Sequence, residues 1–105
     1  MEYLINWLPS SEYTYIKEME FILEKWNLKE VDKFTDLVER TILKLSKNPK
    51  IGIYRKDMNT YSLVISKQTT LFYDILENKS QIDLIAFWNN KQNPKYFDTF
   101  IKLNL

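Results

Sequence analysis

Apolar residues recur along this chain with two periods, helical in the first half and strand-like in the second. Residues 2–8 alternate loosely around Tyr3, Ile5 and Trp7, which predicts an opening strand that ends at Pro9. Ser10 and Ser11 then offer N-cap oxygens, with Glu12 in the first turn, where a helix dipole favours an anion. Ile16, Met19, Leu23 and Trp26 fall at helical spacing, flanked by Tyr15 and Ile22. They predict an amphipathic helix over about 12–26 that turns this apolar face to the core. Asn27 with Glu30 three residues later fits a capping box that opens a second helix. Val31, Phe34, Val38, Ile42 and Leu45 mark its apolar face, with Leu37 beside them. The Ser46-Lys47-Asn48-Pro49 segment stops it, because the residue before a proline is pushed out of helical geometry. Helices joined so tightly form an antiparallel hairpin.

From Ile51 onward the pattern is that of strands. Ile51-Gly52-Ile53-Tyr54 predicts a short extended piece, followed by a polar loop from Arg55 to Asn59. Tyr61, Leu63 and Ile65 alternate with Thr60, Ser62 and Val64. Thr69 to Leu76 is rich in β-branched and aromatic residues, Glu77 to Ser80 reads as a hairpin turn, and Gln81 to Trp88 completes a meander. The expected fold is α+β in the order β-α-α-β-β-β, a helical hairpin packed on an antiparallel sheet of about four strands. Tyr96, Phe97, Phe100, Ile101, Leu103 and Leu105 make the tail apolar, which suits a final helical turn on the sheet or a handle for a partner or a second copy.

Composition narrows the chemistry more than it names it. One hundred and five residues suit a single domain over residues 1–105. Aromatic residues are 15% of the chain, and their large side chains help a short sequence build a core. Gly52 is the only glycine, so a glycine-built phosphate loop is excluded. There is no cysteine and no histidine, which removes disulfides, thiolate metal sites and imidazole acid–base chemistry. Asp32 and Asp36, one helical turn apart, read as a solvated face rather than as ligands of a divalent ion. Glu18, Glu20 and Glu24 read as the exposed side of the first helix. No metal or other cofactor is expected. No apolar run approaches the roughly 18 residues of a membrane span. The opening residues also lack a basic region ahead of an apolar one, so a cytoplasmic protein without a membrane partner is expected.

Charge is unevenly placed. Residues 1–47 hold seven Lys/Arg against nine Asp/Glu, and residues 48–105 hold eight against five. The strand half is mildly basic, too weakly for strong non-specific binding of nucleic acid. The residues there that could act on a target are Arg55, Lys56, Lys67, Lys91 and Lys95, with the phenols of Tyr73 and Tyr96. RNA cleavage by a ribose 2′-hydroxyl needs a base, a cation for the phosphorane and an acid for the leaving oxygen. Without histidine, Lys, Arg and Tyr would have to share those roles.

The element order, the Asn48-Pro49 stop, the Ser-Lys-Gln-Thr-Thr-Leu-Phe-Tyr strand at 66–73 and the Phe-Trp-Asn-Asn-Lys-Gln-Asn-Pro segment at 87–94 resemble the RelE/ParE family of bacterial toxins. The resemblance spans nearly the whole chain and is most specific from Ile65 to Pro94. It implies the toxin of a type II toxin–antitoxin module, of the kind that serves plasmid stabilisation. A cognate antitoxin would wrap it, in a hetero-oligomer or around a homodimer. Free toxins of this family cut mRNA on the ribosome or inhibit DNA gyrase. For the nuclease branch, Lys91 stands where many relatives have arginine after the last strand, and Tyr96 matches a C-terminal tyrosine. Arg55, Lys56, Lys67, Tyr73 and Lys95 are then the candidates for contact with target or nucleic acid. The chain departs from the nuclease pattern at Asp74, where the family often has arginine, and near Tyr61 and Ser62, where another is common. A carboxylate beside a phosphate replaces attraction with repulsion. The leading expectation is therefore a ParE-like growth inhibitor acting on gyrase. A ribosome-dependent mRNA endonuclease and a catalytically silent antitoxin-binding module are the alternatives.

Overall fold

The computed structural model describes residues 2–91. Strand β1 (Leu4–Trp7) leads into helices α1 (Pro9–Lys25) and α2 (Leu28–Lys47). Four strands follow: β2 (Ile53–Arg55), β3 (Thr60–Val64), β4 (Thr69–Leu76) and β5 (Gln81–Asn89). They form one sheet in the order β1-β5-β4-β3-β2. The α+β class and the helical hairpin on a sheet hold, and the order is β-α-α-β-β-β-β, one strand longer than expected. The sheet has five strands instead of about four, because the Ile53–Arg55 piece pairs with β3 and adds an edge. It is also mixed. The helical hairpin carries the chain across the sheet, so β1 lies parallel to β5 while the other pairs are antiparallel.

Helix α2 follows its sequence pattern. The Asn27 side chain accepts the Glu30 N–H at 3.0 Å, and Phe34, Val38 and Leu45 are buried. Val31, Leu37 and Ile42 pack beside them, and a short 3-10 turn at Pro49–Ile51 follows the helix. The core lies between this hairpin and one face of the sheet, where Leu71, Tyr73, Ile82, Leu84 and Phe87 meet Ile22, Phe34, Val38 and Leu45. Trp7, Tyr15 and Phe87 fill the β1 side, with ring centroids 5.1–5.4 Å apart.

Helix α1 follows its pattern only in part: Tyr15, Met19 and Ile22 pack in the core. It begins at Pro9, with Leu8 as the flanking residue, so Ser10 and Ser11 lie inside the first turn instead of capping it. Its buried residues are Ser10, Ser11, Thr14, Glu18 and Ile22, while Ile16, Leu23 and Trp26 are exposed. Glu18 is thus inside, not on the outer face with Glu20 and Glu24. This side of α1 lies against a bulge in β5. Phe72 pairs with Ala86 and Tyr73 with Leu84, so Ile85 is an extra residue in the ladder. Backbone groups beside it take their hydrogen bonds from α1. The Ser10 hydroxyl donates to the Ile85 carbonyl at 2.6 Å, and the Phe87 N–H donates to the Thr14 hydroxyl at 2.9 Å. Buried backbone groups need partners, and the polar side of α1 supplies them.

Candidate functional site

The sheet face away from the helices carries one polar row and one apolar row. Register aligns Arg55 with Thr60, Asp74 with Asp83, and Asn6 with Asp83, while the neighbouring Tyr61–Tyr73 pair brings Thr60 level with Asp74. The result is a row Arg55, Thr60, Asp74, Asp83, Asn6 across the face away from the helices, with Thr60 buried and the other four half-buried. The next level holds Ser62, Phe72 and Ala86. Because of the bulge, Ile85 and Ala86 both join Phe72 there, packed with Leu8, Met58 and Trp88.

The centre of the row is acidic. Asp83 accepts from the Asn6 amide at 2.9 Å and from the Gln81 amide at 2.8 Å. Burial raises the Asp74 pKa; the Thr60 hydroxyl opposes that shift and the Asp83 carboxylate adds to it. Among the described residues, no cation lies within ion-pair distance of either carboxylate. Arg55 instead sits 3.6 Å from Asp57. No group of three or more His, Cys, Asp or Glu among the described residues is placed to hold a metal ion.

The structure does not gather the candidate cations. Arg55 and Lys56 lie at the β2–β3 turn, while Lys67 lies at the β3–β4 turn, at the other end of β3. Lys91 follows β5 at that second end. Its backbone N–H donates to the Asn89 side chain at 2.9 Å, and the Asn90 amide reaches the Lys67 carbonyl at 3.1 Å. Lys91 also lines a surface cavity of about 310 Å³ with Lys17, Glu18, Phe21 and Asn89. The Lys91 side chain, within hydrogen-bonding reach, lowers the Lys25 pKa, and desolvation and like-charge repulsion add to the effect. Lys67 and Lys91 therefore belong to a basic corner next to α1, off the face away from the helices.

At the floor of that corner, Glu18 accepts from Thr69 and, at 3.1 Å, from the Asn89 amide. Burial raises its pKa against these two hydrogen bonds. Tyr73 is committed elsewhere. Its ring is fully buried on the helix side, and its hydroxyl donates to the Pro49 carbonyl at 2.7 Å while accepting the Gly52 N–H at 3.1 Å. Burial pushes its pKa up to about 12. A methyl group on Gly52 would sit 2.5 Å from that hydroxyl, which is why this position has no side chain. Lys95, Tyr96 and the apolar tail lie outside the described residues. Sequence reading singled out Asp74, placed Glu18 on the exposed side of the first helix although it is buried, cited Asn89 only within the 87–94 segment, and passed over Asn6 and Asp83. The available signal was a polar side chain recurring inside otherwise apolar strands.

No family model and no curated protein matches the chain. Solved structures do. The toxin–antitoxin complex RelBE2 from Mycobacterium tuberculosis matches at 15% identity and a TM-score of 0.59, over 86% of this chain and 100% of that one. The YoeB/ParE toxin from Agrobacterium tumefaciens matches at 15% identity and 0.59, over 83% and 98%. The E. coli toxin RelE, in the free state and with two arginines changed to alanine, matches at 17% identity and 0.60, over the full length of both chains. The chain therefore has the fold of the RelE, YoeB and ParE toxins.

Proposed function

We propose that this chain is the toxin of a type II toxin–antitoxin pair, a cytoplasmic growth inhibitor neutralised by a cognate antitoxin. The observation that carries the reading is the fold match across essentially the entire length of three toxin-system chains. In its finer form the inhibition is ParE-like: the toxin binds DNA gyrase and does not cut RNA. Asp74 and Asp83 support this, because two adjacent half-buried carboxylates would repel a phosphodiester and supply no cation for a phosphorane. Tyr73, its proton held in the core, offers no acid there. Arg55 and Lys56 at the rim are the residues proposed to touch the target.

The second reading is a ribosome-dependent mRNA endonuclease, favoured by the RelE and YoeB neighbours and by the shared corner of Lys67 and Lys91. Lys91 and Tyr96 would then carry the chemistry. Induced expression, scored with a supercoiling assay on purified gyrase and a global map of mRNA ends, tests both. Growth arrest with lost supercoiling and intact mRNA is the expected result. Arrest with codon-phased cuts would overturn the gyrase form, and normal growth with abundant folded protein would leave only an antitoxin-binding module.

A further inference from the structure

The cavity between α1 and the end of β5, lined by Lys17, Glu18, Phe21, Asn89 and Lys91, has a built floor. Glu18 and Asn89 keep only 5% and 8% of their surface exposed. Both are tied down. The Thr69 hydroxyl and the Asn89 amide donate to Glu18, and the Asn89 side-chain oxygen accepts the Lys91 N–H at 2.9 Å. This network fixes the chain just beyond β5, and with it the root of the Lys91 side chain.

The rim is cationic. Lys17, Phe21 and Lys25 follow one another at four-residue spacing in α1, so they run along one edge of the helix. The Lys25 Nζ lies 5.6 Å from the centre of the Phe21 ring and within hydrogen-bonding reach of the Lys91 side chain. Two ammonium groups that close repel each other. Among the described residues, no carboxylate lies within ion-pair distance of Lys25 or Lys91. Lys17 has Glu20 at 3.4 Å, an exposed pair that holds it weakly. Glu18 shares the cavity with Lys17 and Lys91, yet its own hydrogen bonds come from neutral groups. Burial raises its pKa, which lessens its repulsion of an anion placed above it.

The chemistry of the rim and floor selects the ligand. Ammonium groups are compact point charges that suit a compact anion. A phosphate monoester carries about −1.5 to −2 at neutral pH and presents three acceptor oxygens, one for each lysine. A phosphodiester, with one charge, offsets less. Each carboxylate oxygen of Glu18 keeps acceptor capacity beyond its one bond, so a hydroxyl on the same ligand can donate to it. Phe21 supplies an apolar wall on which a base or sugar can lie. We infer that this cavity binds a small phosphate monoester such as a nucleoside monophosphate, with Lys17, Lys25 and Lys91 on the phosphate and Glu18 accepting from a hydroxyl of the same molecule. The site goes beyond the toxin reading and depends on neither of its targets.

Calorimetric titration of the full chain with adenosine monophosphate, inorganic phosphate, adenosine and an oligoribonucleotide without terminal phosphate tests this. Adenosine monophosphate should bind most tightly, inorganic phosphate should compete with it, and the oligoribonucleotide, which offers only diesters, should bind more weakly. Lys17→Ala with Lys25→Ala should weaken adenosine monophosphate at least about tenfold with an unchanged circular dichroism spectrum. Lys33→Ala, on α2, should leave it unchanged. Backbone amide NMR shifts on titration should centre on Phe21, Asn89 and Lys91. No binding of either phosphate probe at millimolar concentration overturns the inference. So does binding that survives the double variant, or an oligoribonucleotide that binds more tightly than the monophosphate. Inorganic phosphate binding as tightly as adenosine monophosphate would show an unselective anion patch and also overturn it. These outcomes are read on purified protein, so they stand apart from whether induced expression arrests growth.

Discussion

The two faces of the sheet handle their polar groups in opposite ways. On the covered face each buried polar group is tied to a specific partner: Tyr73 to Pro49 and Gly52, Glu18 to Thr69 and Asn89, Thr14 to Phe87. Aromatic and aliphatic side chains fill the rest. On the other face Asp74 and Asp83 are set side by side, and among the described residues their partners are neutral hydroxyl and amide groups. A folding core removes electrostatic tension, because unpaired buried charge is costly. Two like charges stand together at the centre of this strand pair, whereas the covered face holds no such pair among the described residues.

Substitutions should separate the faces by size of effect. Phe87→Ala, in the aromatic cluster with Trp7 and Tyr15, should cost about 3–5 kcal/mol in chemical denaturation. Glu18→Ala strands the Thr69 hydroxyl and the Asn89 amide, and should cost about 2 kcal/mol. Tyr73→Phe removes the hydroxyl shared by Pro49 and Gly52, for about 1–2 kcal/mol, measured the same way.

Asp74→Asn should have the opposite sign, a gain of up to about 1 kcal/mol at neutral pH. Because the folded pKa of Asp74 is raised, the folded chain binds more protons than the unfolded one in that range. Its contribution to stability therefore declines as pH rises from the ordinary carboxylate value, about 3.9, through the raised folded value. Melting temperatures across that window should fall less steeply in Asp74→Asn; identical slopes would show that Asp74 is not strained. The smallest effect is expected at exposed Lys91. Lys91→Ala should move stability by under about 0.5 kcal/mol and leave growth arrest intact, whereas arrest abolished with the fold retained would favour the nuclease reading.

Much of this architecture was legible in local pattern. The Asn27 cap, the Asn48-Pro49 stop, the buried face of α2 and the alternation of β4 each follow from forces that act within a few residues. The placement of the candidate cations was not. Lys67 and Lys91 are 24 positions apart in sequence and meet at one corner only because β4 and β5 pair with Thr69 opposite Asn89. Asn6 and Asp83 met for the same reason, through a parallel pairing that no local signal announces.

Helix α1 marks the boundary between what the sequence determined and what the tertiary structure decided. The sequence determined that residues near 12–26 form a helix with an apolar row, since periodicity and propensity are properties of the segment itself. It did not determine which way the row points. In the fold Tyr15, Met19 and Ile22 turn inward while Ile16 and Leu23 stay exposed, and Ser10 and Thr14 bond the backbone of Ile85 and Phe87 beside the β5 bulge. The physical reason is that buried backbone groups need partners, and an unmet one costs about as much as an exposed aliphatic side chain forgoes, so the side of α1 facing the sheet is set by contacts far apart in sequence.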